Sequence, residues 1–397
     1  MSGTVPQLRF SEFGGEWNVQ TLGDIGRLSK GKGISKADII GDGLTPCVRY
    51  GELYTTYGNI IDQTVSFTNV PPATLRMSTG GEVIIPASGE TSEDIATAAV
   101  VVRAGVALGG DLNILTTEQN GHFIALYVSG RKRMALAALA QGNSVVHLYP
   151  AQISSLVIAL PTIPEQQKIA DFLGTVDAKL DALRRKKSGL EAFKSGLMQR
   201  LFSQELRFTR EDGTDFPDWD QASFGEIAER SSDKFDPRDV HEGMPVIDLE
   251  NIESGTGRII NAGLSDESGS LKSLFRPGEV LFGKLRPYLR KYAQPDFDGC
   301  CSSEIWVLRG KRVSNDFLFY LIQSGRFMEL ATISSGSKMP RADWSIMSSA
   351  EFEIPHPDEQ RKIAAALSAM DAKIAVVANQ ITHMETFKKG LLQQMFV

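Results

Sequence analysis

Residues 165–202 read EQQKIADFLGTVDAKLDALRRKKSGLEAFKSGLMQRLF, and residues 359–396 read EQRKIAAALSAMDAKIAVVANQITHMETFKKGLLQQMF. The two stretches align without a gap, and 16 of their 38 positions are identical. The identical residues of the first stretch, each repeated 194 positions later, are Glu165, Gln166, Lys168, Ile169, Ala170, Leu173, Asp177, Ala178, Lys179, Glu191, Phe193, Lys194, Gly196, Leu197, Gln199 and Phe202. Such self-similarity at one constant offset indicates a duplicated structural unit.

Apolar residues recur along both stretches at alternating spacings of four and three, which is the seam of a coiled coil. The seam of the first stretch is Ile169, Leu173, Val176, Leu180, Leu183, Lys187, Leu190, Lys194, Leu197 and Leu201. The seam of the second stretch is Ile363, Leu367, Met370, Ile374, Val377, Ile381, Met384, Lys388, Leu391 and Met395. The shared register predicts two long helices that pair with each other, and two separate core helices are the alternative. Pro164 and Pro357 mark the helix starts.

The direction of the two helices follows from their size. A helix of 38 residues is about 57 Å long, whereas a compact domain of about 150 residues has a radius of gyration near 15 Å and termini that often lie close together. Such a domain between the helices cannot easily return the chain along a whole helix. The sequence therefore predicts antiparallel helices in a pseudo-two-fold arrangement, with one globular domain at each end.

Length and composition bound the class of protein. The chain of 397 residues has room for two or three domains, and its 42% hydrophobic and 23% charged content is ordinary for a soluble globular protein. We find no transmembrane or secretory segment in the sequence. The three cysteines suggest neither a disulfide framework nor a zinc site, which favours a cytoplasmic location. The net charge of −6 restricts any nucleic-acid binding to local basic patches.

The duplication extends into the globular parts. Arg9-Phe10, Trp17 and Leu22-Gly23 recur as Arg207-Phe208, Trp219 and Phe224-Gly225. Short β-rich runs separated by Gly, Pro, Asn and Asp follow in both halves, and each half closes on an apolar alternation leading to a proline. We predict two α+β domains with mostly antiparallel sheets, residues 1–160 and 204–354, and two spacer helices within residues 161–203 and 355–397. The divergent middles suggest two units that do the same job on different targets.

The duplicated motifs resemble the specificity (S) subunit of type I restriction–modification enzymes. The resemblance lies in Pro164-Glu165-Gln166-Gln167-Lys168-Ile169-Ala170, in Asp177-Ala178-Lys179, in Phe193-Lys194-Ser195-Gly196-Leu197-Met198-Gln199, in their second copies and in the opening motif of each half. It implies two target-recognition domains, each reading one half of a split double-stranded DNA sequence, with the antiparallel helices setting the gap.

The resemblance also implies partners. Two methylation (M) subunits would dock on the helices and globular domains, and two restriction and translocation (R) subunits would complete the enzyme. S-adenosylmethionine, ATP and Mg are then expected on the partner subunits, with no cofactor in this chain. A related restriction system with different cleavage chemistry remains open, and neighbouring genes would decide between the two.

Candidate DNA contacts are basic, aromatic or hydroxyl-bearing loops, because cations neutralise phosphates and arginine binds a guanine edge through two hydrogen bonds. In the first domain, Lys30-Gly31-Lys32 supplies charge on a flexible backbone. The other candidates there are Lys36, Arg49, Tyr50, Tyr54, Ser88, Glu90, Thr91, Asn143, His147 and Tyr149. Those of the second domain are Lys284, Arg286, Tyr288, Arg290, Lys291, Ser337, Lys338, Arg341 and Trp344. Solvated loops are the alternative reading.

Catalytic motifs are incomplete in this sequence. Gly26-x4-Gly31-Lys32 nearly forms a phosphate-binding loop, but Gly33 stands where a magnesium-binding Ser or Thr is needed. There is no Asn/Asp-Pro-Pro-Tyr/Phe methyltransferase motif, and the five histidines lack metal-ligand spacing. We therefore predict a non-catalytic DNA-reading adaptor that directs adenine methylation by a partner. A coiled-coil scaffold for two protein-binding domains and an enzyme with an unrecognised active site are the alternatives.

Overall fold

The structure is a computed structural model that describes residues 4–142, 145–236, 243–264, 270–333 and 339–397. The chain divides into two compact units: unit 1 is Met1–Arg184 with Asn379–Val397, and unit 2 is Arg185–Ala378. Each unit therefore combines one globular domain with part of both long helices.

The helices reproduce the predicted duplication. Unit 1 contains α1 (Leu22–Ile25), α2 (Glu52–Thr55), α3 (Ser92–Ile95), α4 (Gly121–Ser129), α5 (Arg133–Ala137) and α6 (Pro150–Ser154). The long helix α7 (Ile163–Phe202) continues into unit 2, where α8 (Phe224–Ile227), α9 (Asn315–Leu321), α10 (Gly325–Thr332) and α11 (Trp344–Ser349) follow before the second long helix, α12 (Pro357–Gln394). Polar N-caps start equivalent helices: the Asn120 side chain caps α4 and the Ser314 side chain caps α9.

The strands of unit 1 form two five-stranded sheets, ordered β2-β12-β8-β10-β5 and β3-β6-β4-β11-β7, and the two-stranded pairs β1-β14 and β13-β9. Their bounds are β1 (Asn18–Thr21), β2 (Gly26–Lys30), β3 (Ile39–Ile40), β4 (Thr45–Val48), β5 (Ile60–Ile61), β6 (Ser66–Thr68), β7 (Met77–Thr79), β8 (Glu82–Pro86), β9 (Ser88–Gly89), β10 (Ala99–Val101), β11 (Ala104–Leu108), β12 (Leu112–Thr117), β13 (Val146–His147) and β14 (Val157–Leu160).

Unit 2 repeats the plan with the sheets β16-β24-β21-β22 and β17-β20-β23-β18-β19 and the pair β15-β25. The bounds are β15 (Asp220–Ser223), β16 (Ala228–Arg230), β17 (Lys234–Phe235), β18 (Pro245–Ile247), β19 (Gly263–Leu264), β20 (Lys272–Phe275), β21 (Val280–Gly283), β22 (Tyr292–Ala293), β23 (Gly299–Cys301), β24 (Ile305–Gly310) and β25 (Glu351–Ile354). Among the described residues, the strand pairs are antiparallel apart from β5-β10, β4-β11 and β18-β23. The predicted α+β class with mostly antiparallel sheets is confirmed.

Within each unit the two long helices run antiparallel, as predicted. In unit 1, Lys388 Nζ lies 2.6 Å from Asp177 Oδ1, and Arg184 Nη2 donates to Glu385 Oε1 at 2.6 Å. In unit 2, the copy of the first pair joins Lys194 Nζ to Asp371 Oδ1 at 2.6 Å. These contacts explain two of the three lysines in the predicted seams, because each neutralises an aspartate of the facing helix.

The seam residues avoid solvent along the whole length of both helices. All 20 positions predicted for the two seams are buried or half-buried. Ile169, Leu173 and Val176 join Leu391 and Met395 in the core of unit 1. In the core of unit 2 the corresponding cluster contains Leu201, Ile363 and Leu367. Burial of apolar side chains thus holds each helix pair to its globular domain.

A buried ion pair ties each globular domain to the first turn of its long helix. Arg9 Nε and Nη2 donate to the two carboxylate oxygens of Glu165, both at 2.7 Å. The copy is Arg207 with Glu359, at 3.2 and 2.8 Å. Next to each glutamate, a buried glutamine side chain donates to a proline carbonyl, Gln166 to Pro161 and Gln360 to Pro355, both at 2.9 Å. The duplicated Glu-Gln motif therefore anchors helix to domain.

The last residues of the chain complete the core of unit 1. Phe396 is 2% exposed, and its ring centroid lies 5.1 Å from that of Phe123 and 4.9 Å from that of Tyr127. The Tyr127 hydroxyl donates to the carbonyl of Val397 at 2.6 Å. Residues from opposite ends of the sequence thus fold as one unit.

The cysteines and the helices yield two further observations. Cys47, Cys300 and Cys301 are free thiols, and burial raises their pKa values to about 11, 11 and 12. Among the helices that the structure describes, none is long and apolar enough to span a membrane.

Candidate nucleic-acid interface

Three segments of the first domain meet at one corner of its sheet. After β8, the backbone N–H of Ala87 donates to the carbonyl of Asp111 at 2.8 Å, and the N–H of Leu148 donates to the carbonyl of Ala87 at 3.0 Å. Ser88 pairs with His147 in the β9-β13 ladder. We call the four residues Ala87, Ser88, Asp111 and His147 corner 1.

The second domain builds the same corner. After β21, the N–H of Lys284 donates to the carbonyl of Glu304 at 2.9 Å, and the N–H of Ala342 donates to the carbonyl of Lys284 at 2.8 Å. Leu285 forms an antiparallel bridge with Arg341. We call Lys284, Leu285, Glu304 and Arg341 corner 2. The two corners have matching backbone hydrogen bonds but different side chains.

Aromatic and basic side chains gather at corner 1. The ring centroids of His147 and Tyr149 are 6.2 Å apart in a stacked arrangement, and Lys30 Nζ lies 5.5 Å from the centroid of Tyr149. Ser88 Oγ lies 3.5 Å from His147 Nδ1. Four residues from three predicted DNA-binding segments therefore meet in space, although up to 119 positions separate them in the chain.

A second group of candidates in the first domain lines a cavity of about 540 Å³. Arg49 and Tyr50 contribute to its wall, together with Gly33–Ser35, Asp38 and Gly109–Asp111. The Tyr54 ring lies 6.5 Å from that of Tyr50. Burial raises the pKa of Tyr54, and Tyr50, Asp94 and Glu90 add to the rise.

Gly31 lies where two backbone segments of the first domain come close together. A Cβ at this position would lie 1.8 Å from the carbonyl oxygen of Gly109. Backbone hydrogen bonds also hold the segment, from Gly31 N to Leu112 O and from Lys32 N to Leu108 O, both at 2.9 Å. The glycine permits a close approach of two backbone segments, and Lys32 is exposed next to it.

The remaining candidates of the first domain have mixed surroundings. Lys36 is exposed at the start of a 3₁₀ turn, Lys36–Asp38, and Glu90 is exposed as well. Thr91 caps α3 by accepting a hydrogen bond from the Asp94 N–H at 3.1 Å, which gives it a structural use. Asn143 lies outside the described residues.

At corner 2 an arginine is held by a carboxylate. Arg341 donates from Nε to Glu304 Oε2 at 3.0 Å and from Nη2 to Glu304 Oε1 at 3.3 Å. The hydrogen bonds to Glu304 raise the pKa of Arg341. The fork leaves Nη1 and one N–H of Nη2 available on the side of the guanidinium that faces away from the glutamate.

The basic stretch of residues 284–291 uses its cations in two ways. Arg290 Nη2 donates to the carbonyl of Gln323 at 2.9 Å, and Lys291 Nζ donates to that of Ile252. Within the described part of the chain, the side chains of Lys284 and Arg286 form no hydrogen bond or ion pair, and Tyr288 is 55% exposed. Their charges are thus available to an anionic partner.

Backbone strain marks the same stretch. Arg286 and Arg290 have φ values of 50° and 52°, on either side of the 3₁₀ turn Pro287–Leu289. Residues with side chains rarely adopt this conformation, which clusters at functional sites. Two left-handed arginines around one turn are therefore consistent with a loop shaped for binding.

Trp344 packs at the edge of the core of unit 2. Its ring centroid lies 5.4 Å from that of Trp306 and 6.0 Å from that of Phe224, and Arg230 stacks over it at 5.5 Å. This packing gives Trp344 a structural use. Ser337 and Lys338 lie outside the described residues.

The sequence profile of a family described as "Type I restriction modification DNA specificity domain" matches residues 14–192 and residues 221–386. The two matches cover most of the chain and coincide with its duplication. The chain belongs to this family.

Two curated relatives of the chain are named as specificity subunits of type I restriction enzymes. The chain is 23% identical over 273 residues to the type I restriction enzyme EcoDI specificity subunit of Escherichia coli, with 61% of each protein covered. It is 22% identical over 282 residues to the MjaVIII specificity subunit of Methanocaldococcus jannaschii, with 66% of each covered. The match thus spans 61% and 66% of the length of these two relatives.

Solved structures share the fold over almost the whole chain. One is the S subunit of a type I restriction–modification system from M. genitalium, with a TM-score of 0.63, 16% identity and 99% of both chains covered. Another comes from work on complex assembly and conformational transition of a type I system, with a TM-score of 0.56, 16% identity and coverage of 96% of this chain and 97% of that one. At these identities the likeness concerns the fold.

Sequence reasoning missed the acidic members of the two corners and Arg230. Asp111 directly precedes β12, and Glu304 directly precedes the equivalent strand β24. Aligning these two apolar strands would have exposed an acid at the same position in both domains. In the described ranges, no group of three or more His, Cys, Asp and Glu side chains is placed to hold a metal ion.

Proposed function

We propose that the chain is the sequence-reading subunit of a type I restriction–modification complex. Each globular domain binds one half of a split DNA sequence, and partner subunits catalyse adenine methylation and DNA restriction. The observation that carries the proposal is the pair of corners: one chain holds two copies of a DNA specificity domain, and both gather basic and aromatic loops on the same backbone frame.

The basic side chains of the two domains suit DNA as a ligand. Lys30, Lys32 and Lys36 of the first domain are exposed, and the side chains of Lys284 and Arg286 of the second form no hydrogen bond or ion pair with the residues that the structure describes. Each such cation can neutralise a phosphate, while the tyrosines offer flat surfaces beside them. The net charge of −6 over the whole chain favours DNA contact through such local basic surfaces.

The chemistry would lie on the partners. We assign S-adenosylmethionine to two methylation subunits and ATP with Mg to two restriction subunits, and we assign no cofactor and no catalytic step to this chain. Its three free cysteines support a reducing compartment such as the cytoplasm.

A DNA selection experiment tests this function. The full chain, with the methylation subunit of its own system, is mixed with duplexes randomised over about 25 base pairs, and bound duplexes are sequenced at two salt concentrations. We expect one enriched split sequence and an affinity that falls as salt rises, because phosphate contacts release counterions. A coiled-coil scaffold for protein domains predicts no enrichment at either concentration. Methyl transfer by this chain alone would instead support a catalytic role.

The long helices present two equivalent apolar positions to solvent. Phe193 is 60% exposed and its copy Phe387 is 52% exposed. Gly196 and Gly390 follow one turn later, and a Cβ at either glycine would meet nothing within 4 Å. A glycine inside a helix costs about 1 kcal/mol relative to alanine. Retention of both residues in both copies supports the docking of one methylation subunit at each site.

Phe193→Ala and Phe387→Ala should each weaken binding of one methylation subunit about tenfold, because a buried aromatic anchor typically contributes more than 1 kcal/mol at an interface. The double variant should need about ten times the concentration of methylation subunit to reach the same number of bound subunits as the unaltered chain. Titration followed by native mass spectrometry measures this number.

Gly196→Ala and Gly390→Ala are the matched variants. They should stabilise the free helices slightly and still weaken binding of the methylation subunit. The added methyl group would occupy the space through which this subunit approaches the helix. If the double phenylalanine variant binds as many methylation subunits as the unaltered chain at every concentration of the titration, these surfaces are excluded as docking sites.

A further inference from the structure

The two corners keep one backbone frame and replace the side chains on it. Ala87, Ser88, Asp111 and His147 occupy the positions of Lys284, Leu285, Glu304 and Arg341, as judged from the shared hydrogen bonds of the frame. The duplicated ion pairs at the helix starts, by contrast, retain both residues. Change is therefore concentrated where three segments converge, whereas the anchoring contacts are retained.

At corner 2 the geometry of one side chain is fixed. Arg341 is 48% exposed, yet both hydrogen bonds to Glu304 come from its Nε–Nη2 side. Glu304 itself is 28% exposed, and its carbonyl accepts the frame hydrogen bond from the Lys284 N–H. The frame thus holds the backbone of Glu304, and the two hydrogen bonds from Nε and Nη2 leave the Nη1–Nη2 edge of the guanidinium unengaged by the glutamate.

Building on the proposed function, we propose that Arg341 reads a guanine through its Nη1–Nη2 edge and that Glu304 is the positioning residue that aims it. Two parallel N–H donors match the O6 and N7 acceptors that guanine presents in the major groove. A lysine could not replace the arginine, because an ammonium group is a point charge without a planar fork.

The position of an acid beside a DNA-binding surface also favours this role. A carboxylate near phosphates lowers affinity for every DNA sequence, so Glu304 weakens general binding. An arginine without it would be free to turn towards a phosphate. The glutamate therefore lowers the affinity for DNA of any sequence and in return fixes the orientation of Arg341.

Corner 1 offers different functional groups for the other half-site. His147 takes the position of Arg341, and Asp111 takes that of Glu304. The hydrogen-bond donors and acceptors of the two corners differ, so corner 1 should select a different base from corner 2. The same backbone frame, with different side chains, would thus recognise two different DNA half-sites.

The test uses the full chain with its methylation subunit and the enriched split sequence of the unaltered protein. Arg341→Lys should keep the charge and the salt dependence of binding, but the preference for guanine at one base pair should fall about 5- to 150-fold. Glu304→Gln should reduce the same preference at the same base pair and raise affinity for unrelated DNA, because a negative charge has gone.

Matched controls come from an exposed ion pair of the same unit, in which Arg312 Nη2 lies 3.3 Å from Asp220 Oδ2. Arg312→Lys and Asp220→Asn should leave every base preference unchanged. If Glu304→Gln folds poorly, as judged by circular dichroism, Arg341→Lys alone decides the matter.

The outcomes separate two failures. If the unaltered chain enriches no sequence, the proposed function fails. If it enriches a split sequence and Arg341→Lys retains every base preference, the function stands and the assignment of Arg341 is overturned. A uniform loss of affinity for all DNA in the Glu304→Gln protein would indicate a merely structural glutamate and would contradict its positioning role.

Discussion

Arg207→Met is expected to lower the free energy of unfolding of unit 2 by about 3–5 kcal/mol, because it leaves a buried carboxylate without its cation. The Glu359 side chain is 0% exposed, and both of its oxygens accept from the Arg207 guanidinium. The guanidinium also donates to the carbonyl of Pro217 at 2.6 Å. One substitution thus breaks the connection between helix start and domain.

Urea unfolding followed by tryptophan fluorescence measures this effect. Three of the four tryptophans, Trp219, Trp306 and Trp344, belong to unit 2, so fluorescence reports mainly on that unit. Arg312→Met is the control, since its partner Asp220 is 76% exposed, and such surface pairs contribute at most about 1 kcal/mol.

The double variant Arg207→Met with Glu359→Gln sharpens the comparison. It removes both charges, so it should lose less stability than Arg207→Met alone. Equal stability of Arg207→Met and Arg312→Met would contradict the anchoring role of the ion pair.

Phe396→Ala should destabilise unit 1 by about 3–5 kcal/mol, the usual cost of removing a buried phenylalanine ring. The ring lies among Trp17, Phe123 and Tyr127, where partial collapse leaves a cavity. Hydrogen exchange measured by mass spectrometry can follow each unit separately. Amides of β8 and β12 should lose roughly two to four powers of ten of protection if they exchange through unfolding of the unit.

Phe387→Ala is the matched control for this second variant. It also removes a phenylalanine side chain, nine residues earlier in α12, but that side chain is 52% exposed, and surface substitutions usually change stability by about 0.5 kcal/mol or less. Amides of β21 and β24 in unit 2 should keep their protection in both variants. Equal protection of β8 in the two variants would show that the chain end is not part of the core of unit 1.

The helices could be predicted because their signals are local and repeated. Seam spacing set the apolar face, and the register shared by the two stretches pointed to paired helices. Their antiparallel direction followed from helix length and domain size. The reason that two of the three seam lysines are tolerated could not be read from one helix, since Lys194 and Lys388 each contact an aspartate of the other helix.

The candidate interface was only partly predictable. Basic and aromatic loops are visible as composition, but the frame that joins Lys284, Glu304 and Arg341 depends on long-range backbone hydrogen bonds. Sequence also could not show that Arg290 and Lys291 donate to carbonyls within the chain. Burial and strand pairing decided which cations remain available.

The duplicated glutamates are a second case in which the sequence did not reveal a long-range contact. Glu165 and Glu359 stood out as repeated residues at a helix start, where the helix dipole stabilises an acidic side chain. Their partners, Arg9 and Arg207, lie more than 150 residues away in the sequence and were noted only as part of a second repeat. The structure joins the two repeats in one contact.

Sequencing of methylated positions in DNA from cells that carry the intact system tests the central claim most directly. If two domains on paired helices read DNA together, methylated adenines should fall in one recurrent motif of two short blocks separated by a fixed number of unspecified base pairs. Loss of this chain should abolish the motif. A single uninterrupted motif, a gap of varying length, or methylation that persists without this chain would contradict the account.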